Sequence, residues 1–124
     1  MYVGALTLDV MLGDVRSLKQ KRSAVRPLIA EVNRRFPGAS VAETGHLDLH
    51  RRAEIGIAVA ASTAARAVEV LDACERFVAA RPDIELLSAR QRLFTEEEPA
   101  PGRERLFTEE EQMPGRQQLF MEEQ

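Results

Sequence analysis

His46, Asp48 and His50 stand at alternate positions and are the residues of this chain best suited to hold a metal ion, with Glu43 and Glu54 close by in sequence. Alternate positions line one side of a strand, and imidazole with carboxylate suits zinc or a related metal. The stretch at 45–52 (GHLDLHRR), however, is polar and turn-like and imposes no such geometry. Arg51 and Arg52 would also repel a cation. The reading adopted is a solvated loop without metal, in which Asp48 caps or pairs with a neighbouring arginine. No Ser-His-Asp set can be placed and no glycine-rich phosphate loop exists, since Gly4, Gly13, Gly38, Gly45 and Gly56 are scattered singly. Glu43 and Glu54 fall on neighbouring strands, but carboxylates without a pocket are salt-bridge material. Cys74 is the one cysteine, which excludes an internal disulfide and suits a reducing compartment. It keeps helical step with Val70, Leu71 and Phe77, so it reads as an inert buried thiol. Neither enzymatic activity nor a cofactor is expected.

What remains is charge. Residues 16–36 (RSLKQKRSAVRPLIAEVNRRF) carry Arg16, Lys19, Lys21, Arg22, Arg26, Arg34 and Arg35 against Glu31 alone. The net charge of −3 hides this, because the distribution is uneven: residues 1–91 hold 13 Lys/Arg against 11 Asp/Glu, whereas 92–124 hold 4 against 9. A helix this cationic suits contact with the phosphates of structured RNA, and Arg51 and Arg52 extend the patch if their loop folds toward it. The chain has no Trp and a single Tyr, Tyr2, which argues against bases stacked on a sheet. Binding is therefore expected to be electrostatic and led by shape. The expected RNA-binding residues are Arg16, Lys19, Lys21, Arg22, Arg26, Arg34, Arg35, Arg51 and Arg52.

The elements that must position these residues are legible in the apolar spacing. Residues 2–12 alternate, with Leu6, Leu8, Val10 and Leu12 to one side and Thr7 and Asp9 to the other, as a half-buried strand does. After a Gly13-Asp14 turn, Leu18, Val25, Leu28, Ile29, Val32 and Phe36 recur at helical steps and give the basic helix a buried face. Ser17 with Gln20 fits a capping box at its start. Pro27 removes one backbone hydrogen bond and is expected to kink the helix, at ~3 kcal/mol in an ordinary interior. Pro37-Gly38 ends it. Residues 40–44 read as a short strand, 53–61 as a strand with Ile55, Ile57 and Val59 inward, 63–80 as a second helix, and 84–93 as a last strand.

Strand, helix, strand, strand, helix, strand, with right-handed crossovers, is an α+β ferredoxin-like βαββαβ arrangement: a four-stranded antiparallel sheet with two helices on one face. The other sheet face, from Val3, Ala5, Met11, Gly56, Ala58, Ala60 and Ala89, would be small and rather apolar. It supports an alternative function, a homodimer or protein-docking module without nucleic acid. The longest apolar run, residues 55–61, is far short of the ~20 that span a bilayer, and the N-terminus lacks a signal-peptide layout. A soluble cytoplasmic protein with no membrane partner is expected.

The boundary of the domain is placed at 1–94. Residues 95–124 belong to an acidic tandem repeat: Arg-Leu-Phe-Thr-Glu-Glu-Glu at 92–98 returns at 105–111 and, degenerate, at 118–124. Each unit offers too little apolar area to offset ordering of the chain, so the tail is expected to be disordered beyond a first copy that completes the last strand.

Three segments together resemble one family. They are Ser17-Leu18-Lys19-Gln20-Lys21-Arg22, Val41-Ala42-Glu43, and Asp48-Leu49-His50-Arg51-Arg52-Ala53-Glu54-Ile55-Gly56. In that order they resemble the YlxP-like family of small bacterial proteins, over about residues 1–93. The resemblance implies a ferredoxin-like fold and no established activity. Because genes of that family commonly lie among genes for translation initiation and ribosome maturation, it also implies a role near the small ribosomal subunit. The repeats lie outside the family pattern.

Overall fold

The computed structural model describes residues 1–96; the expectations placed on the rest of the acidic tail lie outside the described residues. The element order is β1 (Tyr2–Leu12), α1 (Leu18–Arg35), β2 (Ala39–Gly45), β3 (Arg52–Ala61), α2 (Ala64–Ala79) and β4 (Ile84–Thr95). The sheet order is β2-β3-β1-β4, and every pairing is antiparallel. Both helices lie on one face, α1 against β2 and α2 across β1, β3 and β4. This is the ferredoxin-like βαββαβ arrangement that the element order predicts. The first repeat copy enters β4 as far as Thr95, and Glu96 then pairs with the N-terminal ammonium at 2.9 Å.

Alternation explains the core. Leu6, Leu8, Val10 and Leu12 of β1 and Ala53, Ile55, Ile57 and Val59 of β3 point under the helices. From above they meet Val25, Leu28 and Val32 of α1 and Ala67, Leu71, Cys74 and Val78 of α2. Ser17 caps α1, its hydroxyl accepting from the Gln20 N–H at 3.1 Å. The reciprocal half of the capping box is shifted by one residue: the Gln20 side chain accepts from the Arg16 N–H at 2.6 Å and not from Ser17. α1 runs through Pro27 as one helix. Pro27 and Ser23, whose carbonyl would have received the missing N–H, are both exposed, so water can serve that carbonyl.

Two expectations fail for definite reasons. Leu18 was expected on the buried face of α1, but it is 43% exposed, and Lys21 occupies the buried stripe instead. Ala89 was expected on the open sheet face, but it pairs with Leu8 and so shares the helix side. A bulge opposite Asp9 and Val10 reverses the alternation of β4, turning Ser88, Arg90, Arg92 and Phe94 to the open face. Gln91 consequently reaches Asp72 of α2, at 3.0 Å.

Cys74 is fully buried, and desolvation pushes its thiol pKa up. A raised pKa keeps the neutral thiol in the folded state, so this contribution to stability is intact below the ordinary thiol range and is lost as pH climbs through the raised value. Iodoacetamide at pH 8 should therefore leave the native protein unlabelled and modify Cys74 fully once denaturant is added; rapid native labelling would show that α2 opens.

Candidate nucleic-acid interface

α1 presents its charge unevenly. Lys19, Arg22 and Arg26, one turn apart, line a single depression of ≈ 620 Å³ together with Ser23 and Pro27. All three are exposed, and none makes an ion pair among the described residues. Glu31, the one acid of the helix, is turned away and bound to Arg81 at 2.6 Å. Arg34, two turns beyond Arg26, is exposed as well. Arg16 sits before the helix, exposed, 3.5 Å from Asp14. Arg35 lies over the Phe77 ring, 5.1 Å from its centre.

Lys21 and Arg52 leave the predicted patch. The Lys21 side chain is 3% exposed, with its Nζ 2.7 Å from Glu43 Oε2, 2.7 Å from the His46 carbonyl oxygen and 2.6 Å from that of Leu49. Two of the three ammonium donors make hydrogen bonds, and the charge sits beside Glu43. The carbonyl contacts are well-aligned hydrogen bonds, whereas the approach to Glu43 is close but poorly aligned, so its attraction is Coulombic rather than directional. Arg52 points to the open sheet face and forks onto Asp9, with Nε 3.1 Å from Oδ1 and the second bond to Oδ2. Arg51 stays exposed, its carbonyl accepting from the Leu12 N–H at 2.8 Å, and it lines a depression with Gly13, Pro82 and Glu85 rather than with residues of α1.

The residues weighed for metal binding do not converge. His46 takes a left-handed conformation, φ 55°, and its Nε2 lies 3.6 Å from Asp9 Oδ1, which makes an ion pair when the ring is protonated. Asp48 and His50 are exposed on the turn. Glu43 and Glu54 do sit on neighbouring strands but on opposite faces of the sheet, since Glu43 pairs with Ile55 and Glu54 bonds Thr44 at 2.8 Å on the open side. Among the described residues no three His, Cys, Asp or Glu side chains are placed to hold a metal ion.

The spacing of the helix carried the signal for Lys21. The step from Leu18 to Val25 spans two turns and leaves one position of the helical stripe between them, which Lys21 fills; likewise Ala39, Val41 and Glu43 are the inward positions of β2. The open face is also more charged than the small-residue reading gave. Arg90 and Arg92 flank it, with Arg92 over the Phe94 ring at 5.1 Å, and Asp9, Arg52 and Glu54 close one end.

The βαββαβ order over a four-stranded antiparallel sheet defines a ferredoxin-like domain. The chain belongs to the family described as protein of unknown function (DUF503), whose model matches residues 3–91. The uncharacterized protein YlxP of Bacillus subtilis (strain 168) is 27% identical over 92 residues, which are 74% of this chain and 99% of that protein. The solution NMR structure of a de novo designed protein with ferredoxin fold is 17% identical, with a TM-score of 0.43, covering 87% of this chain and 98% of the design. Among the described residues no helix is long and apolar enough to cross a membrane.

Proposed function

We propose that this protein is a non-enzymatic accessory factor that grips the phosphate backbone of structured RNA along α1, acting on the small ribosomal subunit in maturation or translation. One observation carries the reading: Lys19, Arg22 and Arg26 line one depression, and among the described residues no acid pairs with them. Unpaired cations at one-turn intervals follow a row of phosphates without reading base identity. The small ribosomal subunit is the RNA of choice because of the gene neighbourhood that the YlxP-like resemblance implies.

Co-sedimentation with small subunits at low salt tests this. Three phosphate contacts predict that log K falls against log salt with a slope of roughly −2 to −3. Lys19→Glu, Arg22→Glu and Arg26→Glu together should abolish binding and leave the melting temperature within a few degrees of the wild type, since all three side chains are solvated. Lys21 is kept, because its loss would test folding instead. Unchanged co-sedimentation of the triple variant, or none by the wild type, would overturn the reading.

A further inference from the structure

The turn joining β2 to β3 is held more tightly than its own side chains require. Lys21 donates to two of its carbonyls, the Leu49 N–H closes it onto the His46 carbonyl at 3.0 Å, and Leu12 holds Arg51 at its end. From the sheet's other side His46 leans on Asp9. Fixing backbone costs conformational entropy at every residue, and folds recover it by burying side chains. This turn buries none between 47 and 51: Leu47 is 64% and Leu49 46% exposed. A buried lysine thus fixes two leucines in water, beside the helix that carries Lys19 and Arg22.

We infer that this turn is a rigid apolar finger that covers an unpaired base of the RNA whose phosphates lie along Lys19, Arg22 and Arg26. The inference rests on the RNA reading above and names the RNA element: a bulge or loop rather than an unbroken duplex. In a duplex the base faces are stacked away, so a leucine gains nothing there; an unstacked base exposes an apolar face that Leu47 and Leu49 can cover. Lys21 is the positioning residue, touching no RNA and setting where the leucines stand. Arg51, exposed in the same turn as the leucines, brings positive charge to the apolar tip, with Asp48 the one acid between them, which suits a ligand that is anionic at its rim and apolar at its centre, as a bulged nucleotide is.

The test titrates the full chain at about 0.1 M salt against two labelled RNA duplexes, one fully paired and one with a short bulge. The wild type should prefer the bulge by roughly five-fold or more. Leu47→Ser with Leu49→Ser should erase that preference and leave the affinity for the paired duplex, with its salt slope, unchanged. Lys21→Gln, measured well below its melting temperature, should erase it too and speed amide exchange at residues 46–50; the leucine variant touches no core and decides the matter if Lys21→Gln does not fold. A bulge preference that survives the leucine changes, or equal affinity for both duplexes, overturns the finger alone. No binding to either duplex overturns the RNA reading itself and the finger with it. Leucine-dependent binding to anionic vesicles with equal affinity for the duplexes assigns the tip to a membrane surface instead.

Discussion

Replacing Lys21 by methionine should lower the melting temperature by roughly 10–20 °C, the largest change from any charged residue of this domain. Truncating one partner of a buried ion pair costs about 3–5 kcal/mol, and a domain of this size shifts by several degrees per kcal/mol. The lower end applies, because Glu43 keeps 22% of its side chain in water. Methionine fills the space of the lysine stem, so the loss isolates the charge and the two carbonyl bonds to His46 and Leu49. Adding Glu43→Leu should recover most of it, because an apolar pair leaves no orphaned carboxylate. Thermal unfolding followed by circular dichroism measures both. A Lys21→Met variant that melts with the wild type would mean that Glu43 is already hydrated and the clamp is slack.

Leu71→Ala should cost about 3 kcal/mol, as truncation of a fully buried leucine does, and Gly4→Ala should cost about 1–3 kcal/mol by overpacking the same spot. A Cβ at position 4 would stand 2.7 Å from Leu71 Cδ1, and a side chain sealed into the core has nowhere to retreat. The double variant should then be more stable than the sum of the two losses, since removing the leucine end removes the collision and the new methyl refills part of the cavity. Chemical denaturation of the four proteins gives the coupling directly. Additive losses would show that Leu71 sidesteps the methyl without strain.

The parts of this architecture that depend on local spacing were plain in the chain. The two-residue alternation of β1 and β3 and the three- and four-residue steps of both helices recur in the structure with ends displaced by a residue or two. What depends on distant partners was not. Lys21 reads as one more cation of a solvated face until Glu43, contributed by β2, is brought beneath it. Arg52 reads as part of the same patch until Asp9, two residues along β1 from its register partner Met11, claims it on the other face. The bulge in β4 has no marker in the sequence at Leu87, and one inserted residue exchanged the faces of everything after it. Charge counting along α1 thus picked out the exposed cationic row and wrongly included Lys21 in it. The row of Lys19, Arg22 and Arg26 was legible because, among the described residues, no partner draws it inward.

The strand order places β2 and β4 at the rims of the sheet, where backbone donors and acceptors stand ready to pair with another chain. β4 is the longer liability, twelve residues with Ser88 to Arg92 all exposed. Its bulge interrupts the straight run a foreign strand would need, and Arg90 and Arg92 would face their own copies across any symmetric strand addition. β2 offers seven residues and breaks register between Glu43 and Gly45. Both rims therefore carry features that oppose strand addition by another chain.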